Sequence, residues 1–271
     1  MKVVGILHCH SIYSYDAKMS LCELKELFIS KGIQFVCMTE HVDEMSRESA
    51  EAFVRECEAL SDESFLFIPG FEVPYKSPSG EHAHVLMIGQ RSFHDVYAPD
   101  IEVLRRWTNE ASFVVLAHPV RNHFEVDDGL LGEVDGLEVW NQQYEGKRVP
   151  RVRSLHLFSE LRNTKSNLIA TGGVDFHRKE HFGAPTVTLD VAEFTEDTIL
   201  EKLKNGAFTV SSPQVSFCGT LPNAEELASL YRWQSHLAVS IIVIGKTINA
   251  ILASVGISLP KSLKQLIRKS L

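Results

Sequence analysis

Metal-capable side chains recur in this sequence at the downstream ends of short apolar runs. Val3–Leu7 leads into His8-Cys9-His10, with Asp16 six residues beyond His10. Phe35–Met38 leads into Thr39-Glu40-His41, Phe65–Ile68 into Pro69-Gly70-Phe71-Glu72, and Phe113–Ala117 into His118-Pro119. Leu168–Ala170 passes through Gly172-Gly173 to Asp175-Phe176-His177, whereas His82 and His84 open the run Val85–Ile88 instead. In extended backbone, residues i and i+2 project to the same side. His8 with His10, His82 with His84, and Asp175 with His177 can therefore each grip one ion. Cys9, between two such residues, points the other way, toward a core. Imidazole and carboxylate together suit Zn, Mn or Fe, whereas an all-oxygen set would favour Mg or Ca. Any one of these pairs reads equally well as a satisfied core histidine or a turn carboxylate. Five separated strand ends carrying the same residue types do not.

The elements that must position these residues are legible from periodicity. The apolar runs, together with Leu137–Trp140 and Thr186–Leu189, are short, several of them β-branched, and bounded by Gly, Pro or polar residues, as buried strands are. Helical spacing appears at 19–31, 46–60, 99–111, 148–163 and 195–205. In the first of these Leu21, Leu24, Leu27 and Phe28 form the apolar stripe, and Gly32 stands where a helix ends. Strands alternating with helices over some 215 residues predict an α/β fold with a largely parallel sheet, and in such folds active sites sit at strand C-termini.

Composition bounds the reading. The chain has 271 residues, 27 Lys+Arg against 35 Asp+Glu, and a formal net charge of −8, which speaks against a general nucleic-acid-coating role. Five cysteines without a C-x-x-C pair fit a reduced, cytoplasmic chain better than a disulfide framework. The charge is uneven: from Leu227 to Leu271 there are six basic residues and no acidic one. This asymmetry predicts two parts, residues 1–218 carrying the chemistry and a basic helical extension at 219–271. In the extension, Leu237, Ile241, Ile244, Ile248, Ile251, Leu252 and Val255 step by three and four. Lys246 and Asn249 interrupt the run and argue against a membrane span. The stripe is expected to pack on the main body or on a second subunit; contact with anionic lipid is the other reading.

Several stretches together resemble the polymerase and histidinol phosphatase (PHP) superfamily: HCHSIYSYDAKMS (8–20), GIQFVCMTEHVD (32–43), IPGFEV (68–73), HVLMIG (84–89), LAHPVR (116–121), GLEVWN (136–141) and GGVDFHR…FGAPTVTL (172–189). They cover about residues 1–215 in family order. The resemblance implies a distorted (β/α)7 barrel with two or three metal ions at its C-terminal face. Carried over by position, it implies that His8, His10, Glu72 and Asp175 hold one metal. Glu72 would bridge to a second held by His84 and His118, and Asp16, His41 and His177 would hold a third. Glu72, Asp175 and His177 are the implied catalytic residues. His84 is chosen over His82 on the HVLMIG match. Where the family more often has Asp, this chain has Glu40, expected to orient a ligand from behind.

Such a cluster lowers the pKa of a bound water, supplies hydroxide at neutral pH and polarises an anionic phosphoryl group. The expected reaction is hydrolysis of a small phosphorylated metabolite or nucleotide, with Arg121 and Arg178, adjacent to implied ligands, as candidate phosphate forks. Histidinol-phosphate phosphatase is an alternative suggested by TEHVD, and a scaffold without turnover is another. A polymerase-associated exonuclease is disfavoured by the acidic balance and the lack of a basic, aromatic groove pattern. No serine or cysteine nucleophile motif competes, and no GK[ST] follows the glycines to make a phosphate loop.

Overall fold

The computed structural model describes residues 1–96, 99–221 and 223–254. The strands are β1 (Lys2–Cys9), β2 (Phe35–Met38), β3 (Glu40–His41), β4 (Leu66–Ile68), β5 (Gly70–Lys76), β6 (His82–Ile88), β7 (Phe113–Ala117), β8 (Gly136–Asn141), β9 (Ile169–Gly173), β10 (Thr186–Asp190), β11 (Phe208–Ser211) and β12 (Ser216–Cys218). The helices are α1 (Leu21–Ile29), α2 (Arg47–Leu60), α3 (Ile101–Thr108), α4 (Asp128–Glu133), α5 (Gln142–Glu145), α6 (Val152–Arg162), α7 (Glu196–Lys204) and α8 (Ala224–Ser254). Every apolar run expected to be a strand lies on one. Helix α1 starts at the capping box of Ser20 and Glu23. The chain turns away after it at Gly32, where φ is +74° and a side chain would be strained.

Two six-stranded sheets form, in the orders β12-β11-β10-β1-β2-β4 and β3-β5-β6-β7-β8-β9. β2 and β3 are one run of chain broken at Thr39, and β4 and β5 one run broken at Pro69, so both runs pass from the first sheet into the second. The sheets meet again where Val174 N donates to Leu7 O at 3.1 Å, Phe176 N to His8 O at 3.1 Å, and His10 N to Phe176 O at 2.9 Å. No regular ladder closes the sheets at this seam. The register along β1 shifts between Ile6 and Cys9, where His8 takes a left-handed φ of +64°.

The expected parallel sheet is mixed. β1, β2 and β4 are parallel, as are β7, β8 and β9, but β6 runs antiparallel to both β5 and β7. Five residues join β5 to β6, enough for a hairpin and too few for a crossover helix. β5 escaped sequence reading because Pro74 lies inside it. Only Phe71 and Glu72 of β5 pair with β3, so from Val73 onward that edge carries no ladder and tolerates a proline.

Helix α8 docks by its first third. Ala224, Leu227, Ala228 and Ser235 are buried, Ser235 Oγ accepts Val152 N at 3.0 Å, and Tyr231 donates to Gln214 O at 3.0 Å. Four residues of the expected stripe do not pack on the body, which corrects one half of the expectation that the stripe packs on the body or on a second subunit. Leu237, Ile244, Ile248 and Ile251 are exposed. Val255 and the basic run 261–269 lie outside the described residues.

Candidate metal centre

Strand direction explains the odd placement of the β6 histidines. Parallel strands present His8, His10, His118, Asp175 and His177 at or just past their C-terminal ends. Antiparallel β6 brings its N-terminal end to the same rim, so residues that open this run join those that close the others. His84 pairs in register with Ala117, the residue before His118, and its Nδ1 contacts Glu72 Oε1. His82, two residues further from the body, is exposed. The choice of His84 over His82 accords with this geometry.

Glu72 is the hub. It is buried at 1% exposure, and five imidazoles converge on its two oxygens. His8 Nε2 lies 3.0 Å, His10 Nε2 3.2 Å and His41 Nδ1 3.5 Å from Oε2; His118 Nε2 lies 2.9 Å from Oε1, which His84 also contacts. Asp175 Oδ1 is 3.6 Å from Nε2 of both His8 and His10, and Asp16 Oδ2 is 3.1 Å from His177 Nε2. Four sets of ligand atoms lie mutually within 4.8 Å: His8, His10 and Asp175; His8, Glu72 and His118; His41, Glu72 and His84; and His10, His41 and His177. All nine sequence-predicted residues thus come together. The grouping differs from the implied one in that His41 sits with Glu72 and His84 as well as with His177. The chain folds it there because Val42 N bonds back to Glu72 O.

Second partners fix which ring nitrogen faces inward. His8 Nδ1 lies 3.0 Å from Glu138 Oε1 and His177 Nδ1 lies 3.0 Å from Asp175 O, so both nitrogens are donors. Ser14 Oγ donates to Glu40 Oε2 and accepts His41 N at 2.9 Å. With its proton already given, it accepts from His10 Nδ1 at 3.3 Å. In all three residues Nε2 is therefore the nitrogen turned toward the cluster, where a metal would be met. Glu40 does not touch an imidazole directly among the described residues. Its oxygens take Ser11 N, Ser11 Oγ and Ser14 Oγ, and it reaches His10 only through Ser14.

Sequence reading missed Glu138. Buried on β8, it accepts His8 Nδ1, His118 N at 2.7 Å and Asn141 Nδ2 at 2.9 Å. Asn141 in turn reaches Asp175 Oδ2 at 3.4 Å. His8, His118 and Asp175 all adopt positive φ, +64°, +25° and +53°, a strained state for residues with a Cβ. Glu138 ties all three down. It also explains Gly173, where a Cβ would stand 1.8 Å from Glu138 Oε1. The signal was available: Glu138 lies in the GLEVWN stretch, but one buried carboxylate in an apolar strand has no partner visible in sequence.

The electrostatics suit a cation. Burial opposes ionisation of Glu72, yet the His84 and His8 imidazoles and hydrogen bonds from His10 and His118 hold its carboxyl well below the usual range. Asp175 is likewise held low against burial, chiefly by His8 and His10. Burial alone would lower His10, but its bonds to Asp175 and Glu72 raise it to about 9. His41 goes the other way, pushed to about 3 by burial and by neighbouring imidazoles despite Glu72. His41 Nδ1, His118 Nδ1 and Asp16 Oδ1 are buried with no hydrogen-bond partner among the described residues. Ionised carboxylates among inward-facing imidazole nitrogens, several polar atoms lacking partners, fit divalent transition metals.

Arg121 stands at the rim, exposed, with Nη1 3.5 Å from His84 Nδ1. Arg178 is half-buried, and its Nε has no hydrogen-bond partner. Tyr15 stacks on His41 with ring centroids 5.3 Å apart, and Tyr144 lies 5.3 Å from His118; sequence reading singled out neither.

Residues 7–124 match the family model of the PHP domain. That stretch, somewhat under half of the chain, is similar to a PHP domain. Its fold is also similar to that of a two-domain protein from Bacteroides vulgatus ATCC 8482 containing a predicted PHP-like metal-dependent phosphoesterase. The TM-score is 0.54 at 15% identity, over 78% of this chain and 65% of that one, so this chain spans just under two thirds of that protein. A lesion-specific endonuclease from Pyrococcus furiosus matches at a TM-score of 0.48 and 16% identity, over 78% of this chain and 58% of that one. No curated protein matches. The PHP match ends at Phe124, so Glu138, Asp175 and His177 join the site through the fold.

Proposed function

We propose that this PHP-domain chain is a metal-dependent phosphoesterase acting on a small phosphorylated metabolite or nucleotide. In this reading the β1–β9 seam completes a distorted seven-stranded barrel, and α8 is an extension of it. The observation that carries the reading is the convergence of five imidazoles on the buried carboxylate of Glu72, with Asp175 and Asp16 beside them. His8, His10, Asp16, His41, Glu72, His84, His118, Asp175 and His177 would hold two to three Zn, Mn or Fe ions. Those ions, when bound, supply an activated water and offset charge building on the phosphoryl oxygens. The chain's own contribution is positional. Glu138, Ser14 and the Asp175 carbonyl hold three imidazoles with Nε2 inward, and Glu72 spans neighbouring ligand sets. Arg121, exposed at the rim beside His84, is placed to take a non-bridging phosphate oxygen. The Bacteroides vulgatus likeness supports the same reading.

The test uses chelator-treated protein. Adding Mn or Zn should raise its melting temperature and start hydrolysis of p-nitrophenyl phosphate, and a panel of phosphorylated metabolites then ranks substrates. Glu72→Gln should keep the fold and lower hydrolysis by several orders of magnitude. Wild-type turnover in Glu72→Gln, or metal that leaves the melting temperature unmoved, would overturn the reading.

A further inference from the structure

Helix α8 has 31 residues, so it is about 46 Å long, of which the last ~28 Å lie beyond Ser235. Among the described residues from His236 to Ser254 no side chain is buried. Leu237 is 63%, Ile244 57% and Ile251 60% exposed, with Ile248 between them on one stripe and Trp233 at 87% at its head. Val243, also exposed, lies off that stripe. Water-facing apolar side chains on this scale mark a surface that something covers. A second copy of this helix and a lipid surface are the two candidate covers for the stripe. Charge separates the candidates: Lys246 is the only charged residue from Leu237 to Pro260, and the six basic residues from Leu227 onward face no acidic residue in that stretch. An apolar helix flanked by uncompensated cations is complementary to an anionic bilayer. No helix among the described residues is long and apolar enough to cross a membrane.

We propose that residues 237–254 of α8 lie in the interfacial layer of an anionic lipid bilayer, tethering the metal centre to that surface. The apolar stripe inserts at headgroup depth, and the net basic charge of this stretch of sequence draws it to the anionic surface. The contact is independent of hydrolysis, because every residue of the metal centre lies before Arg178.

The intact protein is sedimented with vesicles of phosphatidylglycerol and phosphatidylcholine in equal parts, and with phosphatidylcholine alone. It should sediment with the anionic vesicles, release as salt rises, and leave the neutral vesicles largely unbound. Trp107 and Trp140 are fully buried, so a blue shift of tryptophan emission on binding reports Trp233. The double substitution Ile244→Asp with Ile248→Asp, remote from the body, should weaken vesicle binding at least about tenfold while hydrolysis stays at the wild-type level. Vesicle binding unchanged by that double substitution would overturn the proposal. So would a protein that ignores vesicles and forms a concentration-dependent dimer abolished by the same substitutions, which would assign the face to a second copy. A protein that ignores vesicles and stays monomeric overturns it as well.

Discussion

At the scale of single residues, the centre depends on groups that never reach its ligand-facing side. Glu138 accepts three donors, and each comes from or supports a residue with positive φ. Glu138→Gln keeps the shape but turns an amide N–H2 toward donors that need an acceptor. His8 then loses the partner that holds Nδ1 protonated, and its Nε2 lone pair is no longer assured. Metal affinity should fall about 10- to 100-fold, with the circular dichroism spectrum unchanged. A metal titration of the variant checks this; wild-type affinity would mean that packing alone orients His8. Residues such as His8 and Glu72 were legible because their types are rare at strand ends. Glu138 and Ser14 were not, because their roles exist only where β1, β8 and the loop after β1 meet.

At the scale of elements, α6 shows how distant segments complete each other. Its N-cap, Arg151, makes no side-chain cap bond. The missing acceptor comes from α8, whose Ser235 Oγ takes Val152 N across 83 residues of sequence. Ser235→Ala should cost about 0.5–2 kcal/mol, the range for a lost N-cap, because that amide is buried and has no water to turn to. Denaturant unfolding measures the loss. A variant as stable as wild type would show that α8 docks without this bond. The same scale accounts for the antiparallel course of β6 in a sheet expected to be largely parallel. A helical period and a strand period are written in the sequence, but strand direction is not. It follows from the five-residue link to β5, which only permits a hairpin.

Across the whole molecule, stability should carry the signature of one carboxyl outside the metal centre. Glu145 is buried at the end of α5, where its oxygens accept Ser154 Oγ and Arg151 N. Burial raises it to about 8, although those hydrogen bonds favour its charged form. Between the ordinary value of 4.5 and about 8, the folded chain keeps a proton that the unfolded chain has released. Stability therefore falls as pH rises through that interval. Glu145→Gln has no proton to lose. Its stability relative to wild type should climb by at most about 1.4 kcal/mol per pH unit across the interval and level off above it. Denaturant melts of both proteins from about pH 5 to about pH 9 give the difference curve. A flat curve would mean that Glu145 is already charged when folded.

The sequence by itself determined the inventory and the local elements. The i, i+2 pairing of His8 with His10 and of Asp175 with His177, the apolar runs before them and the helical stripe of Leu21, Leu24, Leu27 and Phe28 are all properties of a few adjacent residues, and local physics is enough to read them. Tertiary structure decided how the inventory is shared out. Glu72, His41, His84 and His118 come from separate strands, so their grouping depends on register and strand direction, which no local pattern encodes. It also decided that the stripe from Leu237 faces outward. Periodicity reveals that a helix has an apolar side, but only the packed body shows whether that side is covered. The charge asymmetry of the last 45 residues was plain in the sequence, and it took the exposed helix to give it a surface to act on.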